Sequence, residues 1–174
     1  MGRGIASAAA IILFGAVVFL LLISYERVRI DEAGNLVTEG RDYFSGNAYL
    51  FYGSKAKPAS WKLTDGWGSG TLETRGEGTP FVQAGYERFR ETVRDAAGKQ
   101  GYAFTGVLFS LLVLLISNLY QHRFNDKTKY FQLKRLAMIF GVISLLLLIH
   151  FTAITSVKAK SIYENIGDAF EKCK

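Results

Sequence analysis

The sequence predicts an α-helical integral membrane protein with three transmembrane helices and a small α+β extracytoplasmic domain inserted between helices 1 and 2. Three observations carry this. Residues 5–24, 102–120 and 136–157 are apolar runs without a single Asp, Glu, Lys or Arg. About 20 such residues, at about 1.5 Å each, match a hydrocarbon core roughly 30 Å thick. The charges lie between the runs: residues 25–101 hold 11 basic and 11 acidic side chains, and the connector 121–135 holds Arg123, Lys127, Lys129, Lys134 and Arg135 against Asp126 alone.

The same distribution explains the formal net charge of +6. A basic chain invites a nucleic-acid reading, but here the excess is concentrated in one short connector, as in cytoplasmic loops. No basic face with interleaved aromatics occurs outside the apolar runs, so nucleic acid is not among the expected partners. Cys173 is the only cysteine. An intrachain disulfide and a Cys-based metal site are therefore excluded.

Residues 1–24 read as an N-terminal transmembrane anchor. A cleavable signal peptide would have a shorter apolar region, and cleavage after Ser24 would leave Leu22 at a position that requires a small residue. Ala6 stands where a myristoylation signal wants Ser or Thr.

Residues 25–101 form the extracytoplasmic α+β domain. Its first part reads as short strands at 27–30, 47–52, 60–64 and around 71–75, separated by Gly- and Asp-rich turns. The glycines at 66, 68, 70, 76 and 78 fit neither nucleotide-binding loop pattern, so they read as turns. Thr79 and Pro80 supply an N-cap and a first helical residue. Val82, Tyr86, Phe89 and Val93 then recur at helical spacing, which predicts a helix over about 80–97, closed by Gly98 and Gly101.

Residues 102–157 form a transmembrane hairpin around the basic loop 121–135. Placing that loop in the cytoplasm puts the N-terminus inside, and residues 25–101 and the tail 158–174 outside. The topology-determining residues are Arg123, Lys127, Lys129, Lys134 and Arg135. In the tail, Ile162, Ile166 and Phe170 predict a short amphipathic helix at the outer surface.

Chemistry-bearing constellations are few. Residues 25–101 contain neither His nor Cys, which excludes Ser-His-Asp and Cys-His arrangements there. His150 is the one ionisable group within a span and the candidate cofactor ligand. It lies 14 residues past the start of its span, roughly 20 Å across the membrane, so it and His122 sit at different depths and cannot share one haem. No resident cofactor is expected. Gly106 and Ser110, with Ala137 and Gly141, are small residues at i, i+4 spacing and mark candidate helix-packing faces, while Ser117, Asn118, Thr152 and Thr155 offer interhelical hydrogen bonds. Tyr43, Phe44, Trp61 and Trp67 are candidate partner contacts. A domain this poor in Leu, Ile and Val is expected to lean on a partner for its core.

By elimination, the expected role is a non-catalytic accessory or scaffold subunit of a larger membrane complex. Its expected partners are other membrane subunits and the lipid bilayer, in a bacterial inner membrane or, alternatively, a mitochondrial one. The rival roles are an extracytoplasmic sensor signalling through its helices and a homo-oligomeric ion channel.

Overall fold

The computed structural model describes residues 26–53, 60–66, 70–75, 80–120 and 127–171, and near the start Ile11, Phe14, Gly15, Val17 and Val18. The 5–24 run as a whole, Thr79, Trp67, His122, Arg123 and Cys173 lie outside the described residues. Five strands, β1 (Glu26–Ile30), β2 (Leu36–Arg41), β3 (Ala48–Gly53), β4 (Ser60–Thr64) and β5 (Thr71–Arg75), form one antiparallel sheet in sequence order. Two long helices follow, α1 (Pro80–Tyr120) and α2 (Lys127–Glu171).

Strand β2 was not anticipated from the sequence. Gly40 and the charged Glu39 and Arg41 dilute its β-pattern, and pairing on both sides with β1 and β3 supplies what its own composition lacks. The β1–β2 turn is closed by Asp31. Its Oδ1 accepts the backbone N–H groups of Ala33 at 3.0 Å and Asn35 at 2.7 Å, and Gly34 takes φ +78°.

The helices also differ from expectation. α1 runs unbroken through Gly98 and Gly101, where the sequence predicts an end. A glycine stop needs a positive φ, which among the described residues only Gly34, Gly46 and Gly70 adopt. Without it, a helical glycine costs only about 1 kcal/mol. α2 begins at Lys127 rather than at 136, so Lys129, Lys134 and Arg135 sit on its first turns and not in a loop. Neither Gly nor Pro occurs between 127 and 140 to interrupt it. Nor does α2 stop at 157: the expected separate tail helix is its continuation.

The chain divides into two compact units. The first comprises Ser24–Gln100 and Phe151–Lys174. Its core joins Tyr49, Trp61 and Leu63 from the sheet, Val82, Tyr86, Phe89 and Val93 from α1, and Ala159, Tyr163 and Ile166 from α2. Cross-strand register puts Tyr49, Trp61 and Leu63 on one sheet face, and Trp61 stacks on Tyr86 with ring centroids 5.1 Å apart. Support expected from another chain therefore comes in part from the C-terminal third of α2. At Gly85 the two helices close tightly, since a Cβ there would lie 2.7 Å from Cγ1 of Ile166.

The second unit comprises Met1–Ile23 and Gly101–His150. Ser110 Oγ donates to the Gly106 carbonyl at 2.9 Å, and the Phe14 and Phe109 rings lie 6.1 Å apart. Each helix has an apolar 18-residue stretch of which only 17% is buried. A soluble core helix would be mostly buried, whereas here Leu111, Leu136, Val142, Leu146 and Ile149 all point outward. Both helices are long and apolar enough to cross a membrane.

Candidate functional site

Two opposite sheet faces carry the candidate chemistry of the first unit. On the helix-facing side, Tyr49 crosses over Gly40, its cross-strand partner, whose missing side chain makes room for the phenol ring. The Tyr49 hydroxyl donates to Glu26 Oε2 at 2.6 Å, and Arg90 of α1 donates to Glu26 Oε1 at 2.9 Å. Partial burial pushes the Glu26 carboxyl up, but the two hydrogen bonds and the charges of Arg90 and Arg94 outweigh it and hold it below 4.5. Burial first, and then the bond to Glu26, keep the Tyr49 phenol protonated well above its ordinary value. Arg90 also lies 5.9 Å from the Tyr49 ring centroid. The carboxylate, phenol and guanidinium are bonded to one another, and this cluster ties sheet to helix.

Further along the same face the helices give no cover. Val28, Ile30 and Leu36 are 61%, 73% and 44% exposed. Ile30 stands opposite Leu36, and Val28 opposite Thr38, so all three apolar side chains share the face that elsewhere packs the core.

The other face carries charged pairs beside the buried Val37 and the half-buried Leu50. Arg27 stands opposite Glu39, and Lys62 opposite Glu73. Opposite charges directly across a ladder are mildly favourable and suit a wetted surface. This face holds a concavity of about 400 Å³ lined by Arg27, Glu39, Arg41, Leu50, Lys62 and Thr64, among others.

A third feature is the β2–β3 loop, which is tied by one buried carboxylate. Asp42 Oδ1 accepts the N–H groups of Ser45 and Gly46, each at 2.9 Å. Its Oδ2 accepts from the Ser45 hydroxyl and from Asn47 Nδ2. Asn47 Oδ1 in turn accepts the Gly66 N–H at 3.2 Å, tying the loop to the β4–β5 turn. Asp42, Ser45 and Asn47 are all buried, so every polar group drawn inward has a partner.

The candidate residues from the sequence separate clearly. Trp61 is a buried core residue whose aromatic face stacks on Tyr86, the core role that the sequence leaves open for it beside a partner contact. Tyr43 is half-buried and Phe44 is 45% exposed, with their rings in edge contact at 6.4 Å. Trp67 lies outside the described residues. In the second unit the hairpin brings Gly106 against Ser144 and Gly141 against Ser110, at distances that leave little or no room for an added Cβ. Ala137, Ser110, Ser117 and Ser144 are buried along the same helices. His150 is exposed on α2. Among the described residues no group of three or more His, Cys, Asp or Glu is placed to hold a metal ion. Lys129 and Arg135 are exposed, and Lys134 Nζ lies 4.9 Å from the Tyr130 ring centroid.

Sequence reasoning missed the uncovered Val28–Ile30–Leu36 face because β2 was not foreseen. Had it been, the alternation of Val28 and Ile30 opposite Leu36 would have revealed it. Comparison of the chain with family models, with curated proteins and with solved structures finds no match.

Proposed function

We propose that the chain is a non-catalytic accessory or scaffold subunit of a larger membrane complex. In this reading a third span over residues 5–24 joins the two helices in a bacterial inner membrane. The basic residues from 123 to 135 lie on the cytoplasmic side and the sheet unit outside. The observation that supports the role is the uncovered apolar face: Val28, Ile30 and Leu36 continue the core face of the sheet and are exposed. Contiguous exposed apolar residues of this kind mark interaction surfaces. Glu26 and Tyr49 on the same face bond to each other, and Arg90 of α1 bonds to Glu26, which supports a structural role.

The test is purification of the intact complex in native lipid, with native and Ile30→Glu chains compared. The proposal expects unrelated subunits in fixed stoichiometry with the native chain and their loss from Ile30→Glu, with the sheet unit still folded. A native chain that purifies alone contradicts it.

A second reading, an extracytoplasmic sensor, has its own support in the cationic concavity on the opposite face, where Arg27, Arg41 and Lys62 surround Glu39. It predicts that the isolated chain binds small anions and that Arg41→Ala weakens binding. The absence of any saturable binding removes this reading.

A further inference from the structure

We propose that the β2–β3 loop is a membrane-interface anchor, with Tyr43 and Phe44 seated in the lipid headgroup–acyl boundary. The inference rests on α1 and α2 crossing a bilayer, and it adds a second, non-helical contact with that bilayer.

The argument begins at Gln100. Its side chain is fully buried, and its Oε1 accepts the backbone N–H of Tyr43 at 3.0 Å. Its Nε2 donates to Thr152 Oγ1 of α2 at 3.4 Å. Gln100 directly follows Lys99, the last charge before the uncharged stretch of α1 and one half of the Lys99–Asp95 ion pair. Thr152 lies near the end of the corresponding run of α2, whose next charge is Lys158. On α1 this is the level at which charge gives way to the apolar run, and on α2 it lies six residues before Lys158, so the loop is bonded through its own backbone near the end of both runs.

The loop's composition fits the place. Tyr and other aromatics with an apolar body concentrate where a bilayer meets water. Here Phe44 is 45% exposed although it is apolar, and Arg41, three residues earlier at the end of β2, is exposed and cationic, suited to lipid phosphate. The polar cost of bringing a loop to this depth is already met. The Asp42 carboxylate and the Ser45 and Asn47 side chains are buried and bonded among themselves, and Tyr43 N–H is taken by Gln100.

The experiment uses the full chain with Cys173→Ser, reconstituted in phosphatidylcholine–phosphatidylglycerol vesicles. A nitroxide is attached at Phe44→Cys, at Leu111→Cys or at Lys62→Cys, and its collision rates with oxygen and with a water-soluble nickel chelate are compared. The proposal expects Leu111 deep in lipid, Lys62 in water, and Phe44 between them with oxygen favoured. Position 44 as open to the chelate as position 62, with 111 still in lipid, overturns the inference alone. Position 111 in water overturns the membrane reading and the inference together. An independent arm uses Phe44→Trp, which keeps the aromatic character: bromine-substituted lipids should quench its fluorescence by at least about a third more than that of the native chain. Equal quenching counts against the anchor.

Discussion

Replacing Gly40 with alanine perturbs the point where sheet and helix are locked together. A Cβ at position 40 would overlap Cζ, Cε1 and the hydroxyl of Tyr49, and the ring has nowhere to go while it stays buried. Moving it breaks the bond to Glu26, a hydrogen bond to a charged acceptor worth about 1.5–3 kcal/mol. It also exposes part of a ring whose burial contributes about 1.5–3 kcal/mol. Glu26 keeps Arg90, so the loss is incomplete, and roughly 2–4 kcal/mol is expected. That corresponds to about 30- to 1,000-fold in an opening equilibrium. The assay is hydrogen exchange of the β2 and β3 amides in lipid nanodiscs, which reads that equilibrium where opening is fast. Gly40→Ala on a Tyr49→Ala background should cost no more than about 0.5 kcal/mol, because the obstacle has been removed. If Gly40→Ala leaves exchange within threefold of native, or costs as much without the ring, the clamp is not organised as described.

Four further outcomes follow from the same contacts. The Glu26 carboxyl titrates below its ordinary 4.5 in the folded state, so its stabilisation is present above that value and is lost as pH falls through the folded pKa; a stability–pH profile of Glu26→Gln should lack this acid limb. Tyr49, raised above 10.0, works in the opposite sense, and stability should decline above pH 10 in the native chain but less in Tyr49→Phe. Ile166→Ala should destabilise the sheet unit by about 2–5 kcal/mol, measured by denaturant titration of Trp61 fluorescence, because Ile166 is 1% exposed in its core. Gly106→Ala should cost about 1–3 kcal/mol in thermal unfolding of the detergent-solubilised chain, and Ser144→Gly should recover most of it, since Ser144 is what the new Cβ meets.

The parts of this architecture legible in the sequence are those governed by local pattern. Uncharged runs mark the apolar segments of α1 and α2, and the Val82–Tyr86–Phe89–Val93 stripe marks the face of α1 that enters the core. Four of the five strands follow from β-prone residues between turn signals. The rest depended on contacts distant in sequence. Gly98 and Gly101 look like a stop, yet neither takes the positive φ a glycine stop requires, and α1 runs through them. Ile162 and Ile166 read as the face of a surface helix, but Ala159, Tyr163 and Ile166 fill the core of the sheet unit more than 90 residues from β3 and β4. Trp61 could not be told from a surface aromatic until Tyr86 was seen stacked on it. The Asp42 cluster was invisible for a different reason: acidic, hydroxyl and amide residues in a loop look the same whether solvated or turned inward.

In the proposed subunit role, the uncovered β1–β2 face meets another protein. The most direct test of this role is native mass spectrometry of the chain extracted from its own membrane in lipid particles, with a photocrosslinker at Ile30 in one sample and at Lys62 in the other. Fixed-ratio complexes with unrelated subunits, and crosslinks from position 30 but not from position 62, are the expected result. A chain found alone, or only with copies of itself, and silent at position 30 would contradict it.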